Sequence, residues 1–486
     1  MRIGTNVAAI VANNALQKSQ NNLSTSIERL SSGYKINGSK DDAAGCAISE
    51  KMRAQIRGLS QAQNNTADGV SVLNTAEGAI TEIQSMLTRL KELSVQAAND
   101  VNSDDEREAI QKEIEQINNE IDRISEQTEF NTQSLINGNL SRRVYSDLQG
   151  VNQLSVSDSY TAGVYGITVT EDARQAIAVG AGSITMSSTA SITEEQAGAI
   201  NINGYKISIS EGDTLDKVMG KIIDGVNITG GSAFTVKDLN NDTVANGTDY
   251  AGYVPTADYA GSTLVIMTNQ YGSDQKMNIT CDNAELADIL GIPQAATQDG
   301  IYVEGSDVKA EIATGDDGKR IGFADSAILS TKGTVITVTD VNNKEFSMDV
   351  PGNAAGTVFD DSNNDGQSAA GAGTARTISQ EVTDVGTMSI HVGANQDQVI
   401  VIDIPAITTY SLGTEHMNVM TQYTASRAIS TVDEAINKTN KIRSRIGAYE
   451  NRFDHTTNNL EVSSENLTKS LSTMIDTDMS EEMTTY

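Results

Sequence analysis

Tryptophan is absent, and Phe and Tyr together leave aromatics at only 4 % of 486 residues. Cores in the middle of the chain are therefore expected to be modest and built from Val, Ile and Ala. Proline is nearly missing as well. The four present, Pro255, Pro293, Pro351 and Pro405, all fall between the ends, so nothing in the first half forbids long helices. Two cysteines, Cys46 and Cys281, lie in segments of different character and offer no disulfide framework, which reads as two free thiols. Basic residues are outnumbered, 34 Lys+Arg against 65 Asp+Glu, and the net charge of −31 repels nucleic acid and anionic membrane surfaces. Long hydrophobic runs are missing too. Val7–Ala12 is far too short to span a bilayer, and MRIGTNVAAIVANNALQ has neither the apolar region nor the cleavage site of a secretory signal. If the chain leaves the cell, it is expected to do so without a cleavable signal peptide.

What the sequence does have is the same long-helix pattern at both ends. Leu73, Ala76, Ile80, Ile83, Leu87, Leu90 and Ala97 recur in steps of three and four, with Ser94 alone off type. Val432, Ala435, Ile442, Ile446, Tyr449, Phe453, Leu460, Leu467 and Met474 keep that rhythm near the other terminus, Thr439, Thr456 and Ser463 filling polar slots. Such seams pack against other helices, which predicts one bundle built from both termini with the middle looped out. An earlier stripe, Leu16, Leu23, Ile27 and Leu30, stops at Ser31-Ser32-Gly33; after a turn-rich stretch around 36–45, Ile48, Met52, Ile56 and Leu59 resume the helical period. Ser103-Asp104-Asp105-Glu106 has capping-box spacing, so a further helix begins there with Ile110, Ile114, Ile117, Ile121 and Ile124 as its stripe.

Between about 140 and 412, Gly, Ser, Thr, Asn and Asp punctuate short alternating runs. Strands are expected at 165–169, 206–209, 263–267, 335–338 and 399–402, with one helix on Leu215, Val218, Ile222 and Val226. By the usual size of ~100–150 residues per domain, the insertion makes two small domains. The fold class is thus α+β multidomain: an elongated, coiled-coil-like helical core formed by both termini, carrying a β-rich insertion.

Several ordered motifs resemble bacterial flagellin: SSGYKINGSKDDAAGCAISEKMRAQIRGL at 31–59, LKELSVQAAND at 90–100, EFNTQSLING at 129–138, GAYENRFDHTTNNLEVSSENL at 447–467 and DTDMSEEM at 476–483. INGYKISISEGDTLDKVMGKI at 202–222 is similar to a small repeat of flagellin and hook proteins. The resemblance implies an extracellular, non-enzymatic filament subunit of the flagellum that polymerises with itself for motility. It implies an inner-core helix and spoke at 1–44, a helical outer core at 45–174 plus 406–475 with a β-hairpin, and a variable surface insertion at 175–405, divided at about 300. Residues 476–486 would begin an inner-core segment that relatives continue as a further helix, leaving Leu16, Leu23, Ile27 and Leu30 without a C-terminal partner and removing the tail that the family's export chaperone binds. Other implied partners are the export machinery, the filament cap and the flagellin-sensing Toll-like receptor of animals. Arg89, Leu93 and Glu113 match the receptor-binding positions, Arg89 and Leu93 sharing a helix face just beside the seam. A hook–filament junction protein and an adhesin acting through the insertion are the alternatives.

Chemistry is poorly supported. His391, His416 and His455 form no metallopeptidase motif and read as surface histidines, and no phosphate loop is present. Asp361-Ser362-Asn363-Asn364-Asp365-Gly366 imitates half a calcium loop, yet Ala372 stands where the bidentate glutamate belongs. No catalytic, cofactor or metal residue is therefore assigned. Cys46 replaces the larger aliphatic residue usual in the family and serves as a small packing residue.

Overall fold

Helix α1 (Val7–Ser32) opens on an Asn6 cap and ends on Gly33, whose positive φ of 76° lets its N–H reach back to the Arg29 carbonyl. The computed structural model describes residues 6–157, 160–180, 182–237, 259, 261–292, 300–315, 318–340, 344–352, 354, 359–360, 369–370, 375–383 and 385–486. Helix α2 (Ala43–Ala97) starts where the Asp42 carboxylate accepts the Ala44 and Gly45 N–H groups, each at 3.0 Å. Helix α3 (Asp104–Gln127) carries the expected capping box, Ser103 and Glu106 satisfying each other's N–H. After the insertion, helix α7 (Gln422–Ile475) and the short α8 (Met479–Thr485) complete the helical part, following α4 (Leu215–Ile228), α5 (Ala284–Ile289) and α6 (Thr409–Leu412).

The chain divides into two units. One comprises Met1–Asn74, Met388–Ile402 and Arg445–Tyr486; the other comprises Thr75–Thr387 and Asp403–Ser444.

In the first unit, α2 and α7 meet through Leu59, Ala62 and Leu460, with Leu467 at the edge. Phe453 lies over Gly69, where an added Cβ would come within 3.1 Å of the ring. A hairpin of Met388–His391 and Val399–Ile402 covers α2. Asn65 donates to the His391 carbonyl at 3.0 Å, and Gly58 gives Ala394 room, a Cβ there lying 3.1 Å from that of Ala394. Positions 58, 65 and 69 share one helix face, so two missing side chains and one amide make the seat for the hairpin. Residues 388–402 thus belong with the helices and not, as expected from the sequence, with the insertion.

The second unit contains the other half of the same helical pattern. Lys91–Asp433 at 2.6 Å, Gln84–Asn440 at 3.1 Å and Arg443–Glu77 at 3.1 Å fix α2 and α7 antiparallel. Ile80, Ile83, Leu87, Leu90, Val432 and Ala435 are fully buried, as the spacing predicts. Ser94 and Thr439, the polar interruptions, are buried too because each hydroxyl donates to the carbonyl one turn back, Leu90 and Ala435. Helix α3 departs from its expected stripe. Ile110, Ile114 and Ile121 are buried, but Asn118 and Ser125 go inward while Ile117 and Ile124 stay half-buried. Asn118 donates to the Thr414 carbonyl, Ser125 to the Ile136 carbonyl, and the Asp122 carboxylate takes the Thr409 N–H and hydroxyl. Asn118 and Asp122 thus hold the segment by which the chain returns from the insertion, and Ser125 the one by which it leaves α3.

The insertion has two principal cores. In one, an antiparallel sheet orders Ile301–Glu304, Lys276–Cys281, Gly198–Ile202 and Tyr205–Ile209, and α4 buries Leu215, Val218, Met219, Ile222 and Val226. The hairpin between the last two strands turns on Asn203 and Gly204, both at positive φ. The other core joins a sheet of Lys309–Ile312, Gly163–Glu171, Arg376–Val382 and Val144–Ser146 to one of Ile328–Lys332, Val335–Thr339, Glu345–Asp349 and Asn152–Val156. Strands from 144–171 thus pair with the insertion, as the change of texture near residue 140 indicates and unlike the bound at 174 that the family resemblance implies. The scarce rings gather here. Tyr160 and Tyr165 are edge to face at 5.3 Å, and Phe323 and Phe346 at 5.7 Å.

Candidate assembly and recognition surfaces

Exposed apolar residues concentrate on α1: Val7, Ile10, Val11, Leu16, Leu23 and Ile27 are 43–66 % exposed. Leu16, Leu23 and Ile27 belong to the stripe that the sequence singled out and are not covered by the chain's own fold, whereas its fourth member, Leu30, is half-buried. One correction applies at its C-terminal end. The Ser26 hydroxyl donates to Glu482 of α8 at 2.7 Å, Arg29 lies 3.5 Å from the same carboxylate, and Tyr34 forms an isolated antiparallel bridge with Asp476. Residues 476–486 therefore do meet α1, but through its polar positions Ser26 and Arg29, so the apolar stripe stays open. Helix α7 loosens toward the same region: Phe453 is fully buried and Leu460 nearly so, whereas Leu467 and Met474 are half-buried.

Arg89 and Glu113 are brought together across α2 and α3. The guanidinium Nε and Nη2 donate to Glu113 Oε1 at 3.0 and 2.8 Å, and Nη1 donates to Glu92 at 3.2 Å. The Glu113 carboxylate, then Glu92, raises the Arg89 pKa above its ordinary value. Both side chains of the Arg89–Glu113 pair are about half exposed, 50 % and 45 %. Leu93 does not join them. At 1 % exposure it is inside the seam, because the buried stripe broadens over Leu90, Leu93, Ser94 and Ala97. The expected three-residue face is thus an exposed ion pair backed by a core leucine. Arg107, which sequence reasoning missed, is buried and donates to the Ala97 and Asn99 carbonyls, closing the turn between α2 and α3. Its signal was position: an arginine in the first turn of α3 is within reach of the carbonyls that end α2.

The three histidines are exposed. Cys46 and Cys281 are free; burial raises the Cys281 thiol pKa and its Sγ donates to the Asn283 carbonyl, so it behaves as an inert packing residue. Among the described residues no group of three His, Cys, Asp or Glu is placed to hold a metal ion, and no described helix is long and apolar enough to cross a membrane. The half calcium loop at 361–366, with Ala372, lies outside the described residues.

Comparison with known proteins matches the helical ends of the chain. The family model of the bacterial flagellin N-terminal helical region matches residues 3–141, and that of the C-terminal helical region matches 429–486. Flagellin of Salmonella typhimurium is 30 % identical over 506 residues, covering 99 % of this chain and 93 % of that protein. Polar flagellin A of Vibrio parahaemolyticus is 28 % identical over 485 residues, covering 100 % and 91 %. With helical ends that match, a β-rich middle between them and a relative aligned over nearly its whole length, the chain belongs to the flagellin family, the structural subunits of the bacterial flagellar filament.

Proposed function

We propose that this chain polymerises through the apolar stripe of α1 together with the half-buried end of α7, each closed by neighbouring copies. The carrying observation is that Leu16, Leu23 and Ile27 stay exposed while the α2 seam from Leu73 to Ala97, and the α7 seam at Val432, Ala435, Ile446, Tyr449 and Phe453, are filled. An apolar row of this kind gains burial only against another molecule, and a head-to-tail contact between unlike surfaces propagates into a helical filament. On this reading 1–44 and 476–486 line the filament interior, the outer core expected at 45–174 and 406–475 gives up the strands of 144–171 and gains the hairpin 388–402, and the β-rich cores of the insertion face outward. Electron microscopy after seeding tests it. The full chain should grow filaments and a variant lacking residues 6–32 should not; filaments from both would refute the reading.

Recognition by the flagellin-sensing Toll-like receptor belongs to the same proposal, carried by the exposed Arg89–Glu113 pair. Export through the flagellar secretion channel belongs to the same reading. Surface plasmon resonance against the receptor ectodomain checks the recognition step, with Arg89→Ala and Glu113→Ala the informative variants.

A further inference from the structure

We infer that the cleft bounded by Tyr205, Tyr302 and Tyr423 is a binding site for a neutral oligosaccharide. The cleft has a volume of about 430 Å³ and lies within the second unit. Three of the 14 tyrosines converge on it in an aromatic-poor chain. Each comes from a different element: the strand after the Asn203–Gly204 turn, the strand Ile301–Glu304, and the first turn of α7.

The lining is held in place before any ligand arrives. Tyr302 is 50 % exposed, its hydroxyl donates to Glu304 at 2.6 Å, and the Lys276 ammonium bonds the same carboxylate at 2.7 Å while lying 5.7 Å from the ring centroid. The ring is thus presented as a fixed, half-open plate. The Asn203 amide donates to the Lys276 carbonyl at 3.2 Å and accepts from the Asn278 N–H at 2.8 Å. Arg107 is pinned by the carbonyls of Ala97 and Asn99. Binding loses less ordering entropy where the groups are already ordered.

Charge and polarity select the ligand. Lys276 is matched by Glu304, and Arg107 lies 3.9 Å from both Asp100 and Asp104. With every cation opposed by carboxylate, the cleft has no surplus for a phosphate, sulfate or uronate. Met420 is the single large aliphatic residue lining it, which leaves no seat for an acyl chain. What remains is aromatic faces flanked by fixed amides and carboxylates. That set complements a pyranose, whose C–H face stacks on a ring and whose hydroxyls need oriented donors and acceptors. A second cavity, of about 520 Å³, shares Asn203 and Lys276 and continues over Asn227, Asn269, Asn418 and Arg427. The two together accommodate several sugar rings rather than one.

Isothermal titration of the full chain with maltopentaose, cellopentaose, xylopentaose and chitopentaose tests the assignment. At least one should bind, Tyr302→Ala and Tyr423→Ala should each weaken it about tenfold, and Tyr302→Phe should retain it. Tyr145→Ala, at an exposed ring outside the cleft, should change nothing. Should an alanine variant lose its fold by circular dichroism, saturation-transfer NMR on the unsubstituted chain decides, with contacts from the sugar C–H groups to the Tyr302 and Tyr423 rings expected. No binding by any of the four, binding indifferent to both alanines, absence of those contacts, or tighter binding of a sulfated pentasaccharide would each overturn the proposal.

Discussion

Replacing Leu23 and Ile27 of α1 by alanine removes apolar surface that the isolated chain leaves 43 % and 49 % exposed. Fully burying such a side chain is worth about 1.5–3 kcal/mol. Roughly half of that is still outstanding at each position, so the pair withholds about 2 kcal/mol that only contact with another copy releases. Alanine keeps the helical propensity of α1, so the monomer should melt as before. Polymerisation, in contrast, should require a critical concentration about 30-fold higher, since each 1.4 kcal/mol is a factor of ten. Sedimentation of seeded filaments over a concentration series reads this directly. An unchanged critical concentration would refute the reasoning, and so would a fall in monomer melting temperature large enough to explain the loss.

Three further outcomes follow from the packing. Phe453→Ala empties a fully buried site over Gly69 and should cost about 3–5 kcal/mol in denaturant unfolding of the helical core. Arg89→Ala or Glu113→Ala should lower receptor affinity with little change in stability, because the pair is exposed, whereas Leu93→Ala should cost about 2–5 kcal/mol of stability as a core deletion. The third concerns pH. Burial pushes the Tyr160 phenol up to about 12, and burial with the Asp349 hydrogen bond does the same for Tyr410. The folded state therefore holds these protons more tightly than the unfolded chain, whose phenols titrate near 10. Stability from them is fully present below about pH 10 and declines as pH rises through 12. Melting curves across that window should show the decline, shallower in Tyr160→Phe.

The long helices were legible because a seam must satisfy one period over many turns. From Leu73 to Ala97 every apolar position in the expected stripe is buried, and the Ser103–Glu106 box starts α3 where its spacing said it would. Strands at 163–171, 205–209, 262–268, 335–339 and 399–402 stand where alternating runs placed them. What the pattern did not reveal depends on partners distant in sequence. Asn118 and Ser125 looked like the outside of α3, and only carbonyls from Thr414 and Ile136 make them interior. The hairpin at 388–402 read as insertion because its seat, the missing side chains of Gly58 and Gly69 and the amide of Asn65, lies more than three hundred residues upstream. Leu93 lies one residue from Ser94, and periodicity alone cannot say which edge of a seam is wide enough to bury it.

Hydrogen exchange of the α1 amides, residues 7–32, in monomer and in filament tests the central claim most directly. An open apolar stripe predicts rapid exchange over most of α1 in the monomer and strong protection once neighbouring copies close on it. Equal protection in both states, or α1 amides that stay labile in the filament, would contradict the account.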